Sequence, residues 1–252
     1  MKFVDTHCHL DFEPLSAHTA AVLERAHTLG VTRIIAPSYN AASWPQLRRI
    51  SGHDGVFAAF GLHPWVADEE LDIRELRTLL ALPECRAVGE IGLDAKIDNA
   101  DMARQIEVLK IQLDLALEFD LPVLLHCRGA FEELLEILRD YAPRLRGVLH
   151  AFSRGPELAG RFIDAGMHIA FGGALTRPTA RQARRAAQTL QPDRLLLETD
   201  APAIGLEDIG PREVEPAHVY NIAKVMAELR EVPLEEIAEI TTRNAERLFN
   251  IG

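Results

Sequence analysis

Eight short apolar runs, each followed by a longer amphipathic one, succeed one another along the 252 residues. That alternation limits the fold more than any other feature. The short runs are Phe3–Asp5, Arg33–Ala36, Val56–Gly61, Ala87–Ile91, Pro122–His126, Gly147–His150, His168–Phe171 and Leu195–Glu198, rich in Val, Ile and Leu as strands are. Helical patterns separate them: Ser16–Leu29, Ala42–Ile50, Asp72–Leu82, Asp101–Phe119, Ala130–Tyr141, Pro156–Ala165 and Thr179–Leu190. Three more, Pro216–Leu229, Leu234–Ile240 and Arg243–Phe249, end the chain. The clearest is Asp101–Phe119, with Ile106, Leu109, Leu113 and Leu117 at helical spacing. Gly30 and Gly166 stand where helix C-caps belong. Eight βα units in a chain of this length predict an α/β protein, a (β/α)8 TIM barrel forming one domain over residues 1–252. A doubly wound open sheet is the alternative. The barrel carries a demand: chemistry belongs at the C-terminal ends of the strands.

Composition narrows the function classes. Hydrophobic residues make up 48% and charged residues 26%, as in ordinary globular proteins, and no apolar run approaches the 18 residues of a membrane span. The N-terminus reaches charged residues at once and shows no secretory apolar region. The three cysteines, Cys8, Cys85 and Cys127, form no CxxC pair, so a reducing, cytoplasmic setting without disulfides is expected. A net charge of −11 argues against tight sequence-independent binding of duplex nucleic acid. It leaves room for an enzyme that grips a phosphate in a metal-bearing cleft. No glycine-rich phosphate loop, dinucleotide fingerprint or Ser-His-Asp arrangement stands out.

The polar residues gather at the strand exits. His7 and His9 close the first run, and residues i and i+2 of a strand share a face. His63 follows the third run, Glu90 stands in the fourth between Gly89 and Gly92, His126 ends the fifth, His150 the sixth, and Asp200 follows the eighth. In a closed barrel these exits ring one mouth. His7, His9, Glu90, His126, His150 and Asp200 exceed what one catalytic ion needs and suit two, with Glu90 as the bridge. Imidazole with carboxylate favours Zn, Mn, Fe or Co, and Mg less well. Glu198, two residues before Asp200, is expected to be buried support. His63 is expected to contact substrate phosphate or orient a ligand. Arg128 is expected to clamp phosphate, with a plain salt bridge as the alternative. Asp5 suits either support behind His7 or the barrel interior. Cys8 and Cys127 are expected to turn away from the metal face into the core. His18, His27, His53, His168 and His218 are read as non-catalytic, and Arg177, Arg184 and Arg185 as a solvated helix face.

In order along the chain stand Asp5-Thr6-His7-Cys8-His9-Leu10-Asp11, Gly61-Leu62-His63-Pro64, Gly89-Glu90-Ile91-Gly92-Leu93-Asp94, Leu125-His126-Cys127-Arg128, His150-Ala151-Phe152-Ser153 and Glu198-Thr199-Asp200-Ala201-Pro202. Together these resemble the motifs of the TatD family of metal-dependent hydrolases, within the amidohydrolase-like barrels, over essentially the whole chain. The resemblance implies that His7, His9, Glu90 and Asp200 hold one divalent ion, and Glu90, His126 and His150 a second. It implies that Asp200 takes a proton from the attacking water, and that the substrate is DNA or another phosphodiester. Gly129, the loop Ala95–Asn99 and Ala151 depart from the family pattern, which touches substrate contacts and removes no ligand. An amidohydrolase or aminoacyl-ester hydrolase on the same barrel is the first alternative, a non-enzymatic metal-binding protein the second. Oligomeric state is left open, and a monomer is compatible with the sequence.

Overall fold

Each of the eight apolar runs becomes a strand. A computed structural model describes residues 1–252. The strands are β1 Phe3–Asp5, β2 Val31–Pro37, β3 Val56–Phe60, β4 Cys85–Asp94, β5 Val123–Arg128, β6 Gly147–Leu149, β7 Met167–Phe171 and β8 Leu195–Leu197. All neighbours pair in parallel, in the order of the chain. The seam between β8 and β1 closes just beyond the strands. Thr6 N donates to Leu197 O (3.1 Å), Asp200 N to His7 O (2.8 Å) and His9 N to Ala201 O (2.8 Å). The sheet is therefore a barrel, and the open-sheet alternative is excluded.

Helices α1 Thr19–Thr28, α2 Trp44–Ile50, α3 Ile73–Leu80, α4 Met102–Glu118, α5 Phe131–Tyr141, α6 Pro156–Asp164 and α7 Arg181–Thr189 cross between successive strands; α8 Val219–Arg230 and α9 Leu234–Phe249 follow β8. One expectation is corrected. The two terminal helical segments, Leu234–Ile240 and Arg243–Phe249, are one uninterrupted helix. Thr241 and Thr242 look like a break, because β-branched hydroxyl residues compete with helical backbone. Here both hydroxyls have partners, Thr241 Oγ1 on Ile237 O and Thr242 Oγ1 on Lys2 O (both 2.8 Å), so the helix runs through them.

The barrel is packed, not hollow. One cluster takes a single side chain from every strand: Val4, Ile35, Ala59, Ala87, Leu124, Val148, Ala170 and Leu196. Ala245, Leu248, Phe249 and Ile251 join it from the end of α9 and close the floor. A larger cluster of 59 buried residues fills the layer between strands and helices. Burying that apolar area, at roughly 25 cal/mol per Å², is the main force holding the helices to the barrel. Only the strand exits opposite the floor are left for polar side chains.

Candidate metal centre

Pleating carries several of these side chains to the mouth. Leu124, Val148 and Leu196 point into the barrel, so residues two further on, His126, His150 and Glu198, point the same way one layer higher, and Asp200 follows. Two strands break this period. β1 ends at Asp5, and His7 and His9 lie on irregular backbone beyond it, pinned by an isolated bridge between Cys8 and Ala201. In β4 the register with β5 shifts between Val88 and Ile91, and the shift turns Glu90 inward. Gly92 makes that path possible: its φ is +147°, and a Cβ there would lie 2.0 Å from the His126 carbonyl oxygen.

All six side chains expected to hold metal converge, and all but His126 are at most 7% exposed. Nε2 of His7 and Nε2 of His9 are 3.2 Å apart. Glu90 Oε2 lies 3.3 Å from the first and 3.4 Å from the second, and Asp200 Oδ1 lies 3.7 and 3.6 Å from them. Four ligand atoms placed tetrahedrally about 2.0–2.1 Å from a centre sit roughly 3.3–3.4 Å from one another. His7, His9 and Glu90 have that spacing, and Asp200 stands a few tenths of an ångström farther from the two imidazoles. The other oxygen of the same carboxylate, Glu90 Oε1, lies 2.8 Å from His150 Nε2, 3.1 Å from His126 Nδ1 and 3.3 Å from His63 Nε2. His126 Nδ1 and His150 Nε2 are 3.3 Å apart. Glu90 thus faces two groups of nitrogens, one with each oxygen. His63 belongs to the centre itself, not to its rim, and the triad of His63, Glu90 and His126 is a possible ion cage in its own right.

The donor set suits a divalent cation. Asp200 Oδ1 is buried with no hydrogen-bond partner in the protein, although it faces two imidazoles. Burial opposes charge on Glu90, but His150, His63 and His7 around it hold its carboxyl well below the usual range. Burial also disfavours an imidazolium at His150, yet Glu90, Glu198 and Asp200 outweigh it and raise its pKa to about 10. Burial, reinforced by His150, drives His7 down to about 3. Protons and metal ions therefore compete for the same lone pairs.

A second ring of groups aims the first. Asp94 accepts at Oδ2 from His126 Nε2 (3.1 Å) and Trp65 Nε1 (2.6 Å), and its Oδ1 takes Arg128 Nε at 3.1 Å. With a proton held on Nε2, the His126 lone pair is on Nδ1, towards Glu90 and His150. Asp5 accepts from His7 N (3.2 Å), Thr199 N (2.9 Å) and Thr199 Oγ1 (2.6 Å), which ties the site across the β8–β1 seam. Burial lifts Asp5 to about 7 and Glu198 to about 8. Glu198 stands 3.8 Å from His150 Nδ1 and accepts from Ala151 N, as support behind the site. Ala151 (φ +47°) and Asp200 (φ +51°) are left-handed although neither is glycine. Such backbone costs on the order of 1 kcal/mol or more and persists where surrounding bonds impose it.

The centre forms one wall of a cavity of about 440 Å³ that opens to solvent. Phe12, Tyr39, Trp65, Arg128, Ser153 and Ile204 line the rest. Arg128 makes the salt bridge that was its alternative reading: its Nε is bonded to Asp94, and its side chain is 49% exposed at the cavity. Cys8 is fully buried as expected, and Cys127 packs against the core as expected but is only partly buried and also borders the cavity. β5 runs on to Arg128, past the layer that the helices cover, so its last residues open to the mouth. Asp94 and Trp65 were not anticipated. The signals were present: Asp94 follows Glu90 by four residues in one run, and Trp65 follows His63-Pro64 directly. Of the other histidines, His168 is buried near the floor, far along β7 from the exits. Arg177 and Arg184 bond loop carbonyls and Arg185 pairs with Glu157, so that face is less free than expected.

The family model described as TatD related DNase matches residues 4–250. The chain belongs to the TatD family. It is 36% identical over 255 residues to the uncharacterized metal-dependent hydrolase YjjV of Escherichia coli K12, covering 99% of this chain and 98% of that one. The uncharacterized metal-dependent hydrolase YabD of Bacillus subtilis is 35% identical over 252 residues, 98% of this chain and 99% of that one. The crystal structure of YjjV, a TatD homolog, superposes with a TM-score of 0.94 at 37% identity, over 99% of this chain and 98% of that one. A TatD family hydrolase of Entamoeba histolytica, at 20% identity and a TM-score of 0.87, shares the fold, over 99% of this chain and 98% of that one. No helix of this TatD protein is long and apolar enough to cross a membrane.

Proposed function

We propose that this TatD-family metal-dependent hydrolase is a phosphodiesterase acting on DNA, with two divalent ions on either side of Glu90. His7, His9, Glu90 and Asp200 would hold one ion, and Glu90, His126 and His150 the other. The observation that carries the reading is the division of Glu90: one oxygen faces His7 and His9, the other His126 and His150. Bound there, such ions supply Lewis acidity and make water acidic near neutral pH.

The chain's own residues supply the remaining parts. Asp200 is the proton acceptor for the attacking water: it lines the cavity beside the centre, and burial raises its carboxyl above the usual range. His63 lies beside Glu90, within reach of a phosphate oxygen on the cavity side. Arg128 presents its guanidinium at the mouth, a geometry that matches phosphate oxygens. A phosphodiester is favoured over an amide or aminoacyl ester because of that arginine, and because the matching family model is described as a DNase. The test is direct. Metal-reconstituted protein is incubated with end-labelled single- and double-stranded DNA beside the Glu90→Ala and Asp200→Ala variants. Metal-dependent cleavage by the wild type alone is the expected result. Equal activity in all three would trace it to a contaminant and end the proposal.

A further inference from the structure

Two tryptophans occur in the chain, and they differ sharply. Trp44 is fully buried, whereas Trp65 is 46% exposed on the wall of the cavity that holds the metal centre. What marks it is its place beside Tyr39 and Phe12 in one aromatic wall of that cavity. Its neighbours touch it by their edges and do not stack on it: Tyr39 at 6.5 Å and 84°, His63 at 5.2 Å and 88°, His126 at 6.3 Å and 79°. Its Nε1–H is bonded to Asp94 Oδ2 at 2.6 Å, so the plane of the ring is fixed. The guanidinium carbon of Arg128 lies over one face of the indole, 5.6 Å from the ring centroid, so a stacking base takes the other face. Arg128 is bound to Asp94 through Nε, which leaves its two outer nitrogens to face solvent.

From this juxtaposition we infer that Trp65 and Arg128 form a receiving platform for one unpaired nucleotide: the base stacks on the indole and the adjoining phosphate meets the outer guanidinium nitrogens. The inference rests on the phosphodiesterase reading above and adds the residues that receive the base and its phosphate. A base inside a duplex has both faces covered by its neighbours, so the platform takes single strands or frayed ends. Stacking on an aromatic face accepts any base, so little sequence preference follows. Asp94 holds Trp65, Arg128 and His126 at once, which keeps base, phosphate and centre in one register. Phe12 and Tyr39 extend the aromatic wall behind them.

Two measurements test it. The first needs no turnover. Chelator-treated protein is titrated with a single-stranded oligonucleotide while tryptophan emission is followed. Emission is expected to be quenched in the wild type and not in Trp65→Phe, where only buried Trp44 remains; equal quenching in both, or none in either, overturns the platform. The second compares metal-loaded cleavage of oligonucleotides that end in a normal nucleotide or an abasic one, with DNA and RNA strands as separate arms. The wild type is expected to favour the base-bearing end by about tenfold or more in kcat/KM. Trp65→Ala should lose that preference through KM, and Trp65→Phe, which keeps a ring, should retain most of it. An unchanged preference in Trp65→Ala overturns the platform while cleavage itself leaves the phosphodiesterase reading standing. Absence of cleavage of any phosphodiester ends that reading, and the emission titration then judges the platform alone.

Discussion

Asp94 and His126 stand 3.1 Å apart, carboxylate Oδ2 to imidazole Nε2, across the pairing of β4 with β5. The contact leaves the other ring nitrogen of His126 to face Glu90. Orientation of this kind is what an outer carboxylate gives a ligating histidine. Asp94→Asn is therefore expected to weaken metal binding on the His126 side by about 10- to 100-fold while the fold is kept. Competition with a chromophoric chelator measures the affinity, and circular dichroism the fold. Unaltered affinity would show that His126 is aimed by packing alone.

Metal removal is expected to lower stability. An ion that binds only the folded chain stabilises it by about 2.7 kcal/mol at a hundred times its dissociation constant. Zinc or manganese titrated into chelator-treated protein should raise the melting temperature in a concentration-dependent way. Glu90→Gln, which weakens the bridge between both groups of nitrogens, should abolish most of the rise. A metal-independent melting temperature in the wild type would contradict the site.

Thr199 closes the seam of the barrel through Asp5, with bonds from both its N and its Oγ1. Thr199→Val keeps shape and volume but strips a hydroxyl donor from a fully buried carboxyl. The expected cost is about 1–3 kcal/mol in denaturant unfolding. A change below a few tenths would mean that the Asp5 carboxyl is satisfied by the backbone alone.

His168 sets a pH dependence on the side of the barrel remote from the site. It is buried, neither ring nitrogen has a partner, and burial together with Arg194 and Arg247 lowers its pKa from 6.5 to about 4. Unfolding restores the ordinary value, so between pH 6.5 and pH 4 the unfolded chain binds the extra proton. Stability attributable to this residue is then complete above pH 6.5 and falls away as the pH drops towards 4. The loss approaches about 3 kcal/mol, at roughly 1.4 kcal/mol per pKa unit. Unfolding free energies of wild type and His168→Leu, measured across that range with metal constant, should move apart as the pH falls, the wild type losing stability that the variant keeps. Parallel curves would remove His168 as the cause.

The alternation of short apolar and amphipathic segments was enough to specify a parallel sheet covered by helices on both faces, and the hydrogen bonds between the ends of β8 and β1 decided that it closes. The place of the chemistry was also written in the chain: His126, His150 and Glu198 keep the period of two from Leu124, Val148 and Leu196, so pleating points them at the mouth. Tertiary structure decided the rest. His7 and His9 depend on backbone beyond β1 that only the contacts with Ala201 and Leu197 hold in shape. Glu90 turns inward because β4 slips against β5, and Asp94 and Trp65 gained their roles from side chains on another strand, His126 and Arg128. Periodicity is local and survives in a sequence; a register shift, a strand seam or a shared carboxylate is a relation between distant segments, and comes into being only when the barrel closes.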